Sequence, residues 1–138
     1  MVKIPEGVAR YLTFSPAAGG ASNHSYVTIQ VVDAYGNAVE ECFMFPVWLS
    51  DVATGVGVST KADAMAALSS NGVDIITAAI TTIKCLFCQT LATGKYVLDI
   101  TEATAGDRDF YIAALIPGGP NSGRIAVSRV VATADFTA

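Results

Sequence analysis

The segment YVTIQVVDAYGNAVEECFMFPVWLSD, residues 26–51, decides the fold. Its first part alternates: Val27, Ile29 and Val31 lie on one side, Thr28 and Gln30 on the other, as in a strand with one wet face. Gly36 and Asn37 in AYGN suit the positive φ of a tight turn, so the chain is expected to reverse there into a β-hairpin. The returning strand has no polar face. Cys42, Met44, Pro46 and Trp48 point one way, and Phe43, Phe45, Val47 and Leu49 the other. One face can enter the core, and something else must cover the other. Pro46 cannot donate to a ladder, which predicts an edge or bulged position for this strand.

Working outward, strand signals dominate. RYLTF (10–14) reads as a short strand and PAAGGASN (16–23) as a loop. VDIIT (73–77), ITTIKCLFCQT (80–90), KYVLDIT (95–101), DFYIAALI (109–116) and RIAVSRVVAT (124–133) follow, separated by LATG (91–94), EATAGDR (102–108) and PGGPNSG (117–123). Between them, KADAMAALSS within residues 52–71 is the one helical patch, a short helix or ordered loop near 60–70. Seven to eight short strands with regular turn signals predict a single all-β sandwich domain over residues 1–138. Residues 1–9 are expected to be an arm that docks on a neighbour through Ile4, and 134–138 a tail.

Composition points to assembly. The 138 residues are 52% hydrophobic and only 14% charged, against about 25% charged in an average soluble domain. Mean hydropathy is +0.49. Yet no uncharged apolar run reaches the roughly 18 residues that a spanning helix needs, and the start lacks the apolar core of a signal peptide. A chain this apolar is expected to hide its surplus against partner subunits. Net charge is −4, which argues against a nucleic-acid partner, since phosphates call for a basic stripe.

Catalytic and metal signals are weak. The three cysteines are odd in number, and Cys85 and Cys88, three apart on a strand, face opposite sides and cannot grip one ion. His24 is the only histidine; it lies in SNHS and reads as a solvated loop residue. Glu40 and Glu41 read as solubilising charges, and Asp107, Arg108 and Asp109 as a solvated loop cluster. GVGVSTK (55–61) departs from a phosphate loop. No enzyme and no cofactor is expected. Trp48 and the apolar strands at 41–49 and 109–116 carry the most information. Trp48 is either the core Trp of a sandwich sheet or part of an interface. A continuous exposed apolar strip favours the interface, for which Ile4, Phe43, Phe45, Val47 and Trp48 are the candidates.

A resemblance adds to this. VTIQVVDAYGNAV resembles the opening hairpin of bacterial Ig-like domains, and LATGKYVLDITEATAGDRDFYIAAL their closing hairpin. Together with VWLSDVATG and GRIAVS, over roughly residues 25–130, these segments are similar to small Ig-like structural proteins of tailed bacteriophages. That resemblance implies an Ig-like β-sandwich and a virion location, with capsid decoration (cement) as the expected role. The major capsid protein would be the partner, along with neighbouring copies of the chain itself, for instance as a trimer. No membrane contact is implied. A tail or head-fibre component, or an Ig-like adhesion module on a host surface, are the alternatives.

Overall fold

The computed structural model describes residues 7–59, 64–67, 72–77, 85–104 and 108–138. These form nine strands: β1 Tyr11–Ala18, β2 His24–Val32, β3 Met44–Ser50, β4 Ala64–Ala67, β5 Val73–Thr77, β6 Cys85–Gln89, β7 Lys95–Thr101, β8 Tyr111–Leu115 and β9 Ile125–Val127. A four-stranded sheet has the order β1-β2-β7-β4 and a five-stranded sheet the order β5-β6-β3-β8-β9. All pairings are antiparallel. The two sheets pack as a β-sandwich around one core. The four-plus-five arrangement is that of a variable-type Ig domain. The middle of the chain runs the other way round, taking the outer strand of the small sheet before the two outer strands of the large one.

The four-stranded sheet follows from simple alternation. Val27, Ile29 and Val31 of β2 and Tyr96, Leu98 and Ile100 of β7 face the core. Their alternates pair as Gln30↔Lys95, Thr28↔Val97 and Tyr26↔Asp99 and give a mostly polar outer face. β1 runs through Pro16 to Ala18, longer than RYLTF alone predicts. Pro16 is tolerated because β1 is an edge strand and its missing donor costs no ladder bond there.

The expected hairpin of residues 26–49 does not form. The turn itself does: Asp33 Oδ1 accepts the N–H groups of Tyr35 (2.9 Å) and Asn37 (3.0 Å), with Gly36 at φ +81°. Val39 N–H then donates to Val31 O (3.0 Å), after which the chain leaves for the other sheet. β2 is flanked on both sides, by β1 and β7, so no edge remains for β3. β7 and β8, likened above to a closing hairpin, likewise lie in different sheets.

Nor is β3 an edge. It lies between β6 and β8. Thr90 N–H donates to Phe43 O (2.9 Å), so Phe43, Phe45 and Val47 address β6 and Pro46 addresses β8. The β3–β8 ladder begins one residue later, at Val47↔Ala114, and Pro46 therefore breaks no bond. The stretch expected to be a helix or loop near 60–70 contains β4, whose Ala64–Ala67 pairs with residues 98–101 of β7. A free sheet edge supplies partners that outweigh the helical preference of Ala and Met.

The last residues are no free tail. Phe136 is buried in the core cluster, edge-on to Phe110 at 6.2 Å between centroids. Thr137 O accepts from Asn23 N–H (2.8 Å) and Thr137 N–H donates to His24 O (3.0 Å). Asp135 accepts two bonds from Arg129 (2.7 and 2.8 Å) and one from Ala132 N–H (3.0 Å). At the other end Ala9 packs on the same core and Asn121 Nδ2 donates to Arg10 O (2.9 Å). Residues 8–10 thus lie against their own domain, while Ile4 lies outside the described residues.

A pH effect follows. The bonds from Arg129, helped by Ala132 N–H, hold the Asp135 carboxyl below its ordinary value against the opposing effect of burial. A lowered folded-state value means stability that is present above the unfolded value, about 3.9, and lost as pH falls through the folded one. The melting temperature should therefore drop more steeply below pH ~4 in the parent than in Asp135→Asn. The difference should be about 1 kcal/mol or less, because Arg129 is largely exposed and screened. Parallel acid limbs in the two proteins would refute the assignment.

Candidate interaction surface

Residues directly opposite on paired strands share a face, which lets the outer surface of the five-stranded sheet be read row by row. Met44↔Gln89, Pro46↔Phe87 and Trp48↔Cys85 join β3 to β6. Trp48↔Ala113 and Ser50↔Tyr111 join β3 to β8, and Ala113↔Val127 and Leu115↔Ile125 join β8 to β9. Only Gln89 and Ser50 in this set are plainly polar. Over the rows just read, from β6 through β3 and β8 to β9, the outer face is mostly apolar, whereas that of β2 and β7 is mostly polar.

The chain covers part of the apolar face itself. After β3, residues 51–59 fold back over it. Trp48 Nε1 donates to Gly55 O (2.8 Å), and Ser50 Oγ donates to Val56 O (3.2 Å). Ser59 Oγ donates to Asp51 Oδ1 (2.5 Å) and so ties the ends of the loop together. Gly55 has φ +76°, and a Cβ there would come within 3.0 Å of Ile125 Cγ2, Ala113 Cβ and Val127 Cγ2. Only glycine lets the loop lie this close to the sheet. The loop buries Ser50 and Ala113 and turns its own apolar side chains outward: Val52, Val56 and Val58 are exposed, Val56 by 69%. Met44 and Ile125 stay exposed beyond it, by 57% and 44%. Phe87 and Leu115 are half-buried.

This changes which residues can meet a partner. Phe45 and Val47, expected at an interface, are 1% and 0% exposed and belong to the core. β3 is apolar on both faces, and the sandwich takes the Phe45–Val47–Leu49 side inward. Phe43 is half-buried against that core. Among the described candidates Trp48 alone lies on the outer face, half-buried and anchoring the loop; it is not a core Trp. Met44, Phe87, Ile125 and the loop valines were not singled out from sequence. The signal for Met44 was present, as the alternate register of the same strand.

The thiols divide as the strand geometry requires. Cys85 is exposed on the outer face and Cys88 is buried, its thiol donating to Phe45 O (3.4 Å); neither forms a disulfide, nor does exposed Cys42. Partial burial pushes the Cys85 thiol up from its ordinary value, which disfavours the nucleophilic thiolate. Among the described residues no group of three His, Cys, Asp or Glu could hold a metal ion, and no helix is long and apolar enough to cross a membrane.

Two polar sites depart from the solvated reading. His24 opens β2, and its Nδ1 lies 2.7 Å from Asp99 Oδ1 on β7. This is two-thirds of a nucleophilic triad. Neighbouring Ser25, however, is buried on the opposite face, its hydroxyl donating to Ala17 O (3.1 Å). Arg108 is buried, not solvated. Its Nε donates to Glu102 O (2.9 Å) and a terminal nitrogen to Asn23 Oδ1 (2.7 Å), and its guanidinium lies 4.7 Å over the Phe136 ring. Asp109 is exposed, and Asp107 lies outside the described residues.

Comparison with known protein families, curated proteins and solved structures finds no match to this chain.

Proposed function

We propose that this protein is a non-enzymatic structural subunit of a tailed-phage particle. In this reading it is a capsid decoration protein that seats its apolar sheet face on the shell built by the major capsid protein. One observation carries this: the outer face across β6, β3, β8 and β9 is mostly apolar, and the loop that partly covers it presents three more exposed valines. Contiguous apolar patches of more than a few hundred Å² are rare on monomers and mark interaction sites. The chemistry is burial, worth roughly 25 cal/mol per Å² before the costs of association, repeated at every copy on a shell. The resemblance of residues 25–130 to phage Ig-like proteins supplies the setting.

The test is made on particles. Purified particles should carry the chain at hundreds of copies by gel densitometry. Particles lacking it should assemble with unchanged geometry yet release DNA at lower temperature or on osmotic shock. Re-adding the protein should restore resistance, at a rate that falls with salt, because charge steers the encounter of an acidic protein. Stripped particles that are equally robust but fail to adsorb to cells would replace this reading with host adhesion. A few to dozens of copies would replace it with a tail or fibre role.

A further inference from the structure

We propose that the sandwich carries a second, separate docking site: an edge groove that accepts an extended, antiparallel peptide segment with an apolar residue followed two positions later by a carboxylate. The site lies where β1 and β9, edge strands of the two sheets, come together. A groove of about 320 Å³ opens there, at the small end of the ligand-pocket range of roughly 300–1,000 Å³. Tyr11 and Leu12 line it from β1, Ile116 and Ile125 from the β8–β9 side, and Asn121 and Arg124 from the turn between them.

The backbone of β9 sets how a segment would bind. Ile116 N–H donates to Arg124 O (3.0 Å) and Ser128 N–H to Ile112 O (2.8 Å). By alternation Arg124, Ala126 and Ser128 address β8, so the N–H and C=O groups of Ile125 and Val127 point to the open edge. Such a row is a template for strand addition. Natural edges are commonly blunted by Lys, by Pro or by shortness. β1 carries Pro16, whereas β9, with the sequence IAV, carries neither residue, and its three residues limit strand addition to a short segment.

Register then assigns the side chains. A residue opposite Ala126 shares its inward face, where Ala126 packs against the core, and so enters the groove over Leu12 and Ile116. In an antiparallel segment the residue two positions later lies opposite Arg124. Asn121 is committed to Arg10 O, but among the described residues the exposed Arg124 guanidinium has no hydrogen-bond or ion-pair partner. A carboxylate answers it. This site does not depend on the decoration reading, since its anchors are the β9 backbone edge, Leu12, Ile116 and Arg124, and only Ile125 also borders the outer sheet face.

The experiment uses the full chain and the blocked hexapeptide Thr-Thr-Leu-Thr-Asp-Thr. At saturation, amide hydrogen exchange at Ile125 and Val127 should slow at least tenfold. N-methylation of the residue between Leu and Asp should abolish binding, because that amide faces the edge. Lys in place of Asp should weaken binding about tenfold, and Arg124→Glu should reverse that order. Unchanged exchange at both amides, equal binding of the Asp and Lys peptides, or protection centred on Met44 and Phe87 would each overturn the proposal. Slow exchange at Ile125 and Val127 without peptide, growing with protein concentration, would overturn it in favour of self-pairing. None of these outcomes bears on copy number or particle robustness.

Discussion

Phe136→Ala should lower stability by about 3–5 kcal/mol, the usual cost of removing a buried Phe. For a domain of this size that is a fall of roughly 10–20 °C in melting temperature. The ring closes one end of the core: it meets Phe110 edge-on, lies under the Arg108 guanidinium at 4.7 Å and is one residue from the Thr137 backbone bonds to Asn23 and His24. Its loss leaves a cavity and takes the cover from a buried cation at once. Thr137→Ala, which keeps both backbone bonds and removes only the hydroxyl contact with Gly19 O, should cost about 1 kcal/mol. Calorimetry of the three proteins checks this. An unchanged melting temperature for Phe136→Ala would mean that residues 135–138 do not belong to the folded domain in solution.

Two adjacent substitutions on β3 should part company completely. Phe45→Asp removes a fully buried ring and puts an unpaired charge in the core, together about 6–10 kcal/mol. That is comparable with the whole stability of a domain, about 5–15 kcal/mol, and the chain should not fold. Met44→Asp, one residue away on the other face, should change stability by no more than about 0.5 kcal/mol. It should nevertheless weaken docking at least about 100-fold, some 2.7 kcal/mol, because a charge would have to be desolvated against an apolar partner. Circular dichroism and particle-binding assays on the pair check both halves. A folded Phe45→Asp would reverse the assignment of the two faces. A Met44→Asp that binds normally would remove the sheet face from the interface.

The pair also shows what was legible in the sequence. KYVLDIT was readable to its ends, since Tyr96, Leu98 and Ile100 alternate with Val97 and Asp99, and the strand has those bounds. In β3 both registers are apolar, so periodicity reveals a strand but not which side is core. Partnership was less legible still. Alternation assigns faces, and the turn chemistry of Asp33–Asn37 assigns a reversal. Neither says that both flanks of β2 are already taken, which sends β3 into the other sheet. Arg108 and His24 were misjudged for a related reason. Their partners Asn23 and Asp99 lie 85 and 75 residues away, and no local pattern can register such a pairing. The Ala-rich stretch 64–67 shows propensity yielding to an available sheet edge.

The loop over Trp48 has a consequence for how such a protein can change. Its shape rests on the Trp48–Gly55 bond, the Ser50 contact and the Asp51–Ser59 tie. The side chains of Val52, Val56 and Val58 take no part in those bonds, in which Val56 joins only through its carbonyl oxygen, and point into solvent. They resemble the contact positions of an antibody loop on its framework: substitution there alters what is recognised at almost no cost to folding. Lineages could therefore exchange partners by drift at three positions while the sandwich beneath stayed fixed. A library randomised at those three sites would be a practical route to new binders on this scaffold.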